Sequence, residues 1–286
     1  MQEIDLTKTK DVIGAYNSID FSREKKTYTD YGTQYCFDVL DGKIVAGYNI
    51  QLACFRHLRD LQRQGDEDFS YVYSIEAFNR FLKFLSLVPN VDDLSQKLEP
   101  MDWQYFIFAQ LFAWFDLDNV PRFSNIIISI ARSQGKTMIA GICLNFSYLI
   151  EIIGQSNQDF LVSSLNFDQT MKLFTYVKSM MARIIENEPF KSLADETQVQ
   201  LYSREIKSLV DANTIHTISF ESGKFDGKHF KLAVADEVGE LRTDEGISKI
   251  TSGQVNTEGS RFIEISTSYQ TPDVPFHQEQ KKLIEI

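Results

Sequence analysis

The hydrophobic rhythm of the chain changes near Pro121. Before it, apolar positions recur at helical spacing. In residues 47–65, GYNIQLACFRHLRDLQRQG, the residues Ile50, Leu52, Ala53, Phe55, Leu58 and Leu61 share one side, while Arg56, Arg59, Asp60 and Arg63 face elsewhere. Gly65 supplies a helix stop. Residues 74–88, SIEAFNRFLKFLSLV, repeat apolar residues at three and four, with Ser74 as N-cap. A further helix follows Pro100 in MDWQYFIFAQLFAWF. After Pro121, short β-rich runs alternate with helical ones: residues 125–130, 159–164, 214–220, 229–237 and 260–268. That alternation predicts βαβ units around a mostly parallel sheet flanked by helices. The pattern divides the chain into a helical segment over residues 1–100, an α/β core over 101–270, and the start of a linker over 271–286.

Within the core, residues 124–141 read SNIIISIARSQGKTMIAG. Asn125 to Ile130 is a continuous β-branched run, as expected of a strand buried on both faces. Ala131 to Gly135 is a short polar loop, and Lys136 to Ile150 reads as a largely apolar helix. Strand, loop, Gly-Lys-Thr and helix is the context of a phosphate-binding loop, although Ile130 stands where the common pattern has its first glycine. The backbone of Ser133, Gln134 and Gly135 would cradle phosphate at the helix N-terminus. Lys136 would reach the β- and γ-phosphates of ATP, and Thr137 would bind Mg²⁺.

About a hundred residues on, KLAVADE is an apolar strand ending in Asp236 and Glu237. Phosphoryl transfer to water uses such a pair. Asp236 would hold the Mg²⁺ shell, and Glu237 would orient or deprotonate the attacking water. The two motifs in this order predict a P-loop ATPase of the ASCE/RecA-like kind. A third segment, SRFIEISTSYQ, brings Ser266, Thr267 and Ser268 to the end of a strand, where small hydroxyls can sense the γ-phosphate.

Composition narrows the surroundings. The net charge of −11 excludes a general nucleic-acid coat, though it leaves room for a local basic groove or contacts made by an oligomer. No apolar run approaches a membrane span, and the N-terminus MQEIDLTKTKD has no signal-peptide core. Cys36, Cys54 and Cys143 are widely spaced and lack zinc-site spacing, which fits reduced thiols in a cytosolic compartment. Arg56, Arg59 and Arg63 read as the solvated face of an amphipathic helix that also carries Asp60, and His57 as a packing or surface residue.

The ordered segments resemble the large terminase subunit of tailed bacteriophages over about residues 45–275. ACFRHLRDLQRQG is similar to that family's Arg-His-Leu-Arg-Asp helix, and LEPMDWQYFIFAQLFAWF to its Pro-x-x-Gln-x-Phe element. ARSQGKT looks like its deviant phosphate loop, which often lacks the first glycine and carries an early arginine. NFDQTMKLF resembles its Asp-Gln segment, GKFDGKHFKLAVADEVGE its approach to the acidic pair, and ISTS its coupling motif.

The resemblance implies that Gln104 recognises adenine and that Arg132 faces the γ-phosphate or an adjoining subunit. It also implies that Ser266, Thr267 and Ser268 couple hydrolysis to movement. An arginine supplied in trans is another family feature, for which Arg204, Lys224, Lys228 and Arg242 lie on suitable loops. The implied activity is ATP hydrolysis that translocates double-stranded DNA into a procapsid in the host cytoplasm. Implied partners are a portal, a small terminase subunit and further copies of the chain in a ring. A nuclease domain is expected to be absent. The rival readings are a helicase-like or other nucleic-acid-dependent P-loop ATPase, and a nucleotide-binding protein that does not turn over. Glu237 speaks against the second.

Overall fold

The computed structural model describes residues 4–90, 93, 96–267 and 273–285. The chain forms two compact units, one of Met1–Leu82 with Glu99–Phe123, the other of Lys83–Leu98 with Ser124–Ile286.

The first unit holds the helices α1 (Leu6–Thr9), α2 (Val12–Asn17), α3 (Ser22–Thr27), α4 (Tyr31–Leu40), α5 (Tyr48–Arg63) and α7 (Asp102–Ala113). The greater part of α6 (Ile75–Leu85) also belongs to it. Ser74 caps α6, its hydroxyl accepting the Ala77 N–H at 3.1 Å. The unit is built around a close approach of α4 and α7. A Cβ on Gly32 would stand 2.5 Å from Ala109 Cβ, so only glycine lets the two backbones come so near. Phe81 stacks on Phe112 at 4.7 Å between centroids.

His57 of α5 is buried in this core. Its Nδ1 accepts the Trp114 indole N–H at 3.2 Å, and its Nε2 lies 3.0 Å from the Thr33 hydroxyl. Burial, reinforced by the charges of Arg56 and Arg122, drives its pKa down to about 3. The ring is therefore neutral, with its proton on Nε2, and it serves packing.

Two expectations are corrected here. Asp60, read on the solvated face of α5, is buried and pairs with Arg122 at 2.8 Å. The Arg122 guanidinium lies over the rings of Tyr71, Phe123 and Trp114 at 4.7–5.0 Å. Helical spacing identifies residues that share a face. It does not reveal a cation from a distant loop that makes burial of a carboxylate tolerable. Trp114 and Phe115, read as the end of a helix, instead belong to strand β2 (Trp114–Asp116), antiparallel to β1 (Tyr71–Tyr73). Tertiary pairing there overrides local pattern.

The second unit is an α/β layer structure. Among the described residues its sheet has seven strands: β3 (Asn125–Ser129), β4 (Asp159–Ser163), β5 (Val199–Leu201), β6 (Glu205–Ser208), β7 (Thr214–Thr217), β8 (Phe230–Asp236) and β9 (Arg261–Ser266). Their order is β3-β9-β8-β4-β7-β6-β5, parallel from β3 to β7 and antiparallel beyond. The five core runs seen in the sequence are these five parallel strands, with β7 ending earlier and passing into a 3₁₀ turn at Phe220–Ser222. The remaining helices are α8 (Lys136–Phe146), α9 (Phe167–Ile184), α10 (Phe190–Thr197), α11 (Glu245–Gln254) and α12 (Pro275–Glu285).

One face of the sheet buries Leu161, Ala233, Ala235 and Phe262 against Ile247 and Ile250 of α11 and Phe276 of α12. Alternate residues such as Phe160, Val162, Val234 and Ile263 are buried as well, with Phe160 against Tyr148. Cover on both faces is why β4 and β8 read as apolar runs. Strand β3, expected to be buried on both faces, is instead at the end of the described strand order, with Ile128 its one buried residue, because only β9 pairs with it. Helix α8 continues into one π turn at Ser147–Glu151. There Ser147 and Glu151 both bond the buried guanidinium of Arg261, the first residue of β9.

Candidate functional site

The carboxyl ends of β3, β9, β8 and β4 lie side by side at one edge of the sheet. Register fixes the alignment: Ser129 opposes Ser266, Asp236 opposes Ile265, and Ser163 opposes Ala235. Strand β9 thus stands between the strand that feeds the phosphate loop and the strand that ends in the acidic pair. Its terminal hydroxyls are brought between the two motifs, the crevice where open α/β sheets bind ligands.

The loop after β3 turns through two left-handed residues, Ser133 at φ 60° and Gly135 at φ 80°. Successive N–H groups in such a turn form an anion-binding nest, and the positive end of α8 begins at the next residue. Lys136 is 7 % exposed. Among the described residues no carboxylate pairs with it. A buried ammonium at a helix N-terminus suits a phosphate. Thr137 follows in the first turn of α8, and Arg132 and Ser133 are exposed on the loop.

Asp236 closes β8, and its pKa is raised to about 6. Burial is the larger cause and the adjacent Glu237 the second. The Glu237 N–H, Lys136 and Lys172 pull in the opposite direction. A cation beside Asp236 would relieve both raising effects. A buried hard oxygen donor together with the Thr137 hydroxyl suits Mg²⁺. Glu237 itself is left-handed, at φ 58° and ψ 29°. A non-glycine residue holds that conformation, at a cost of roughly 1–3 kcal/mol, only where its surroundings over-determine it. Three contacts do so. Asp236 Oδ1 accepts the Glu237 N–H at 2.9 Å, Ser266 Oγ accepts the Gly239 N–H at 3.0 Å, and Ser164 Oγ donates to the Asp236 carbonyl at 3.0 Å.

The structure therefore gathers Gly135, Lys136, Thr137, Asp236, Glu237, Ser266 and Thr267 at one sheet edge. Ser266 and Thr267 are buried. Ser268 lies outside the described residues. Gln104 belongs to the first unit, buried at the third position of α7, where its Oε1 accepts the Met101 N–H at 2.9 Å in one half of a capping box.

Sequence reasoning missed Ser164 and Lys172. Residues 159–164 read as a strand, and the Ser163–Ser164 hydroxyl pair at its exit is the sequence signal for the first. Lys172, on the exposed side of α9, had no signal: only the fold puts its charge near Asp236. Of the basic loop residues, Arg204 lies over the Phe167 ring at 5.0 Å, and Lys224 and Arg242 are exposed. Lys228 is turned toward His216 and Asp159 at the opposite, amino end of β4.

Comparison with known proteins bears on the whole arrangement. No curated protein matches the chain. Among solved structures it is similar to the large terminase of bacteriophage HK97, with 20 % identity and a TM-score of 0.58, over 73 % of this chain and 41 % of that one. It also matches the large terminase ATPase domain of Thermus phage P74-26, with 15 % identity and a TM-score of 0.43, over 53 % of this chain and 63 % of that one. The HK97 likeness concerns the fold, and the chain spans less than half of that protein's length. The family model for the ATPase domain of the terminase large subunit matches residues 102–283, a range that takes in all seven strands of the sheet. By that match the chain belongs to the terminase large subunit ATPase domain family.

Proposed function

We propose that the chain is the motor of a phage DNA-packaging terminase, hydrolysing ATP to translocate double-stranded DNA into a procapsid. The observation that carries this reading is β9. It links a phosphate loop on one side to an acidic turn on the other, and the Ser266 hydroxyl bonds that turn directly. A change at the γ-phosphate would thereby reach β9, which pairs with both motif-bearing strands.

The residues take the following roles. The Ser133–Gly135 backbone, Lys136 and the α8 N-terminus bind the phosphates of ATP. Thr137 and Asp236 hold Mg²⁺, which neutralises phosphate charge. Glu237, fixed in its left-handed turn, accepts the proton of the attacking water. Arg132, on the loop, faces the γ-phosphate or a neighbouring copy. Ser266, Thr267 and Ser268 couple hydrolysis to motion. The chain acts in a ring of copies docked on a portal, with a small terminase subunit, in the host cytoplasm. Arg204, Lys224 and Arg242 are the exposed candidates for a cation supplied to the next copy.

Steady-state ATPase activity with and without linear duplex DNA tests the reading, followed by protection of DNA by procapsids in the presence of the chain and ATP. Hydrolysis with no packaging, but with strand separation of duplexes, would favour the helicase-like alternative. Nucleotide binding without turnover would overturn both.

A further inference from the structure

We infer that Ser164, at the exit of β4, is a positioning residue that sets the geometry of the Asp236–Glu237 turn. The inference rests on the reading of Glu237 as the group that activates water.

Three observations lead to it. Ser164 is 1 % exposed, and its hydroxyl donates to the main-chain carbonyl of Asp236 at 3.0 Å. That carbonyl belongs to the peptide bond that enters Glu237, so holding it fixes ψ of Asp236 and the direction from which the left-handed Glu237 departs. The serine is held in turn. Its N–H donates to Thr170 Oγ1 at 3.0 Å, Thr170 Oγ1 donates to the Asn166 carbonyl at 2.9 Å, and the Gln169 side-chain amide lies 3.4 Å from Ser164 Oγ. Asn166 also caps α9 by accepting the Gln169 N–H at 2.9 Å. The acidic turn is therefore gripped from both neighbouring strands, by Ser266 of β9 and by the serine that follows β4.

The neighbouring Ser163 supplies an internal contrast. Its hydroxyl is buried but has no partner among the described residues, and it points to the other face of the strand. Two adjacent buried serines thus make opposite demands. One hydroxyl is engaged on the acidic turn, and the other has no hydrogen-bond partner among the described residues.

A strained turn held by few bonds loses its geometry before the domain loses its fold. Removing one neutral hydrogen bond is worth about a 3- to 10-fold change in rate if that bond is fully expressed at the transition state. The test uses single-turnover ATP hydrolysis at saturating nucleotide, with the affinity for a fluorescent ATP analogue measured separately. Ser164→Ala and Ser164→Cys, which replaces the hydroxyl by a weakly donating thiol, are expected to slow the chemical step about 3- to 10-fold with analogue affinity unchanged. Ser164→Thr, which keeps the hydroxyl, restores the rate, and Ser163→Ala leaves it alone. Unchanged turnover in both Ser164→Ala and Ser164→Cys overturns the inference. So does an equal loss in Ser164→Thr accompanied by a lowered unfolding temperature, which would reveal a packing role. Glu237→Ala is assayed in parallel. If it hydrolyses normally, the reading of the acidic pair has failed. If it is inactive while Ser164→Ala is normal, only the role of Ser164 has failed.

Discussion

The backbone N–H of Gly239 donates to Ser266 Oγ at 3.0 Å, tying the turn after the acidic pair to the last residue of β9. Ser266 is fully buried, and its carbonyl also accepts the Ile130 N–H at 3.1 Å, at the mouth of the phosphate loop. One residue thus touches both halves of the site. Ser266→Ala is expected to lower kcat about 3- to 10-fold while KM for ATP stays near wild type, because the lost bond orients the acidic turn and not the nucleotide. A rise in KM with unchanged kcat would place Ser266 in ground-state binding instead.

Glu237→Ala should keep nucleotide binding and lose hydrolysis by about 10²–10⁴-fold, the range for a positioned acid or base. Lys136→Ala should weaken both, since it removes a buried cation at the N-terminus of α8, where the proposed reading places the phosphates. Equilibrium binding of a labelled ATP analogue beside phosphate release distinguishes the two variants. Turnover like wild type in Glu237→Ala would remove the acidic pair from the chemistry.

Arg132 is exposed on its loop, and Arg204, Lys224 and Arg242 also face outward. On the proposed reading a neighbouring copy would neutralise transition-state charge, and such arginine fingers are worth about 10³–10⁵ in rate. The isolated chain is expected to be a slow monomer whose turnover per molecule rises with protein concentration. Light scattering alongside activity over a dilution series checks this. Fast turnover that does not change with concentration in a demonstrated monomer would make Arg132 sufficient in cis.

Glu264 sits at 2 % exposure in the middle of β9, and its pKa is raised from 4.5 to about 8, first by burial and then by the Glu279 carboxyl of α12. A carboxyl whose folded pKa lies above its unfolded one favours the fold while it is protonated. Its contribution is complete below pH 4.5 and is lost as pH rises through about 8. Relative to Glu264→Gln, the wild-type unfolding temperature should therefore decline between those limits, leaving the variant the more stable at the alkaline end. Parallel pH profiles of the two proteins would refute the shift.

The sequence by itself determined the local parts of the site. An apolar β-branched run, a polar loop and Gly-Lys-Thr before a helix are contiguous, so their chemistry is readable without knowing what they touch. The same holds for β8 and its two terminal carboxylates. Strands β5 and β6 escaped because each is three or four residues of mixed polarity, too short to show a period. What only the tertiary structure decided is adjacency. Strand order is set by ladder hydrogen bonds between residues far apart in the chain, and nothing local in SRFIEIS says that it inserts between β3 and β8. The same reason hides Asp60 beside Arg122, Lys172 near Asp236 and the Ser164 hydroxyl on the Asp236 carbonyl. Each is a meeting of two segments whose individual patterns are complete without the other, and only packing both into one core brings their polar atoms within bonding distance.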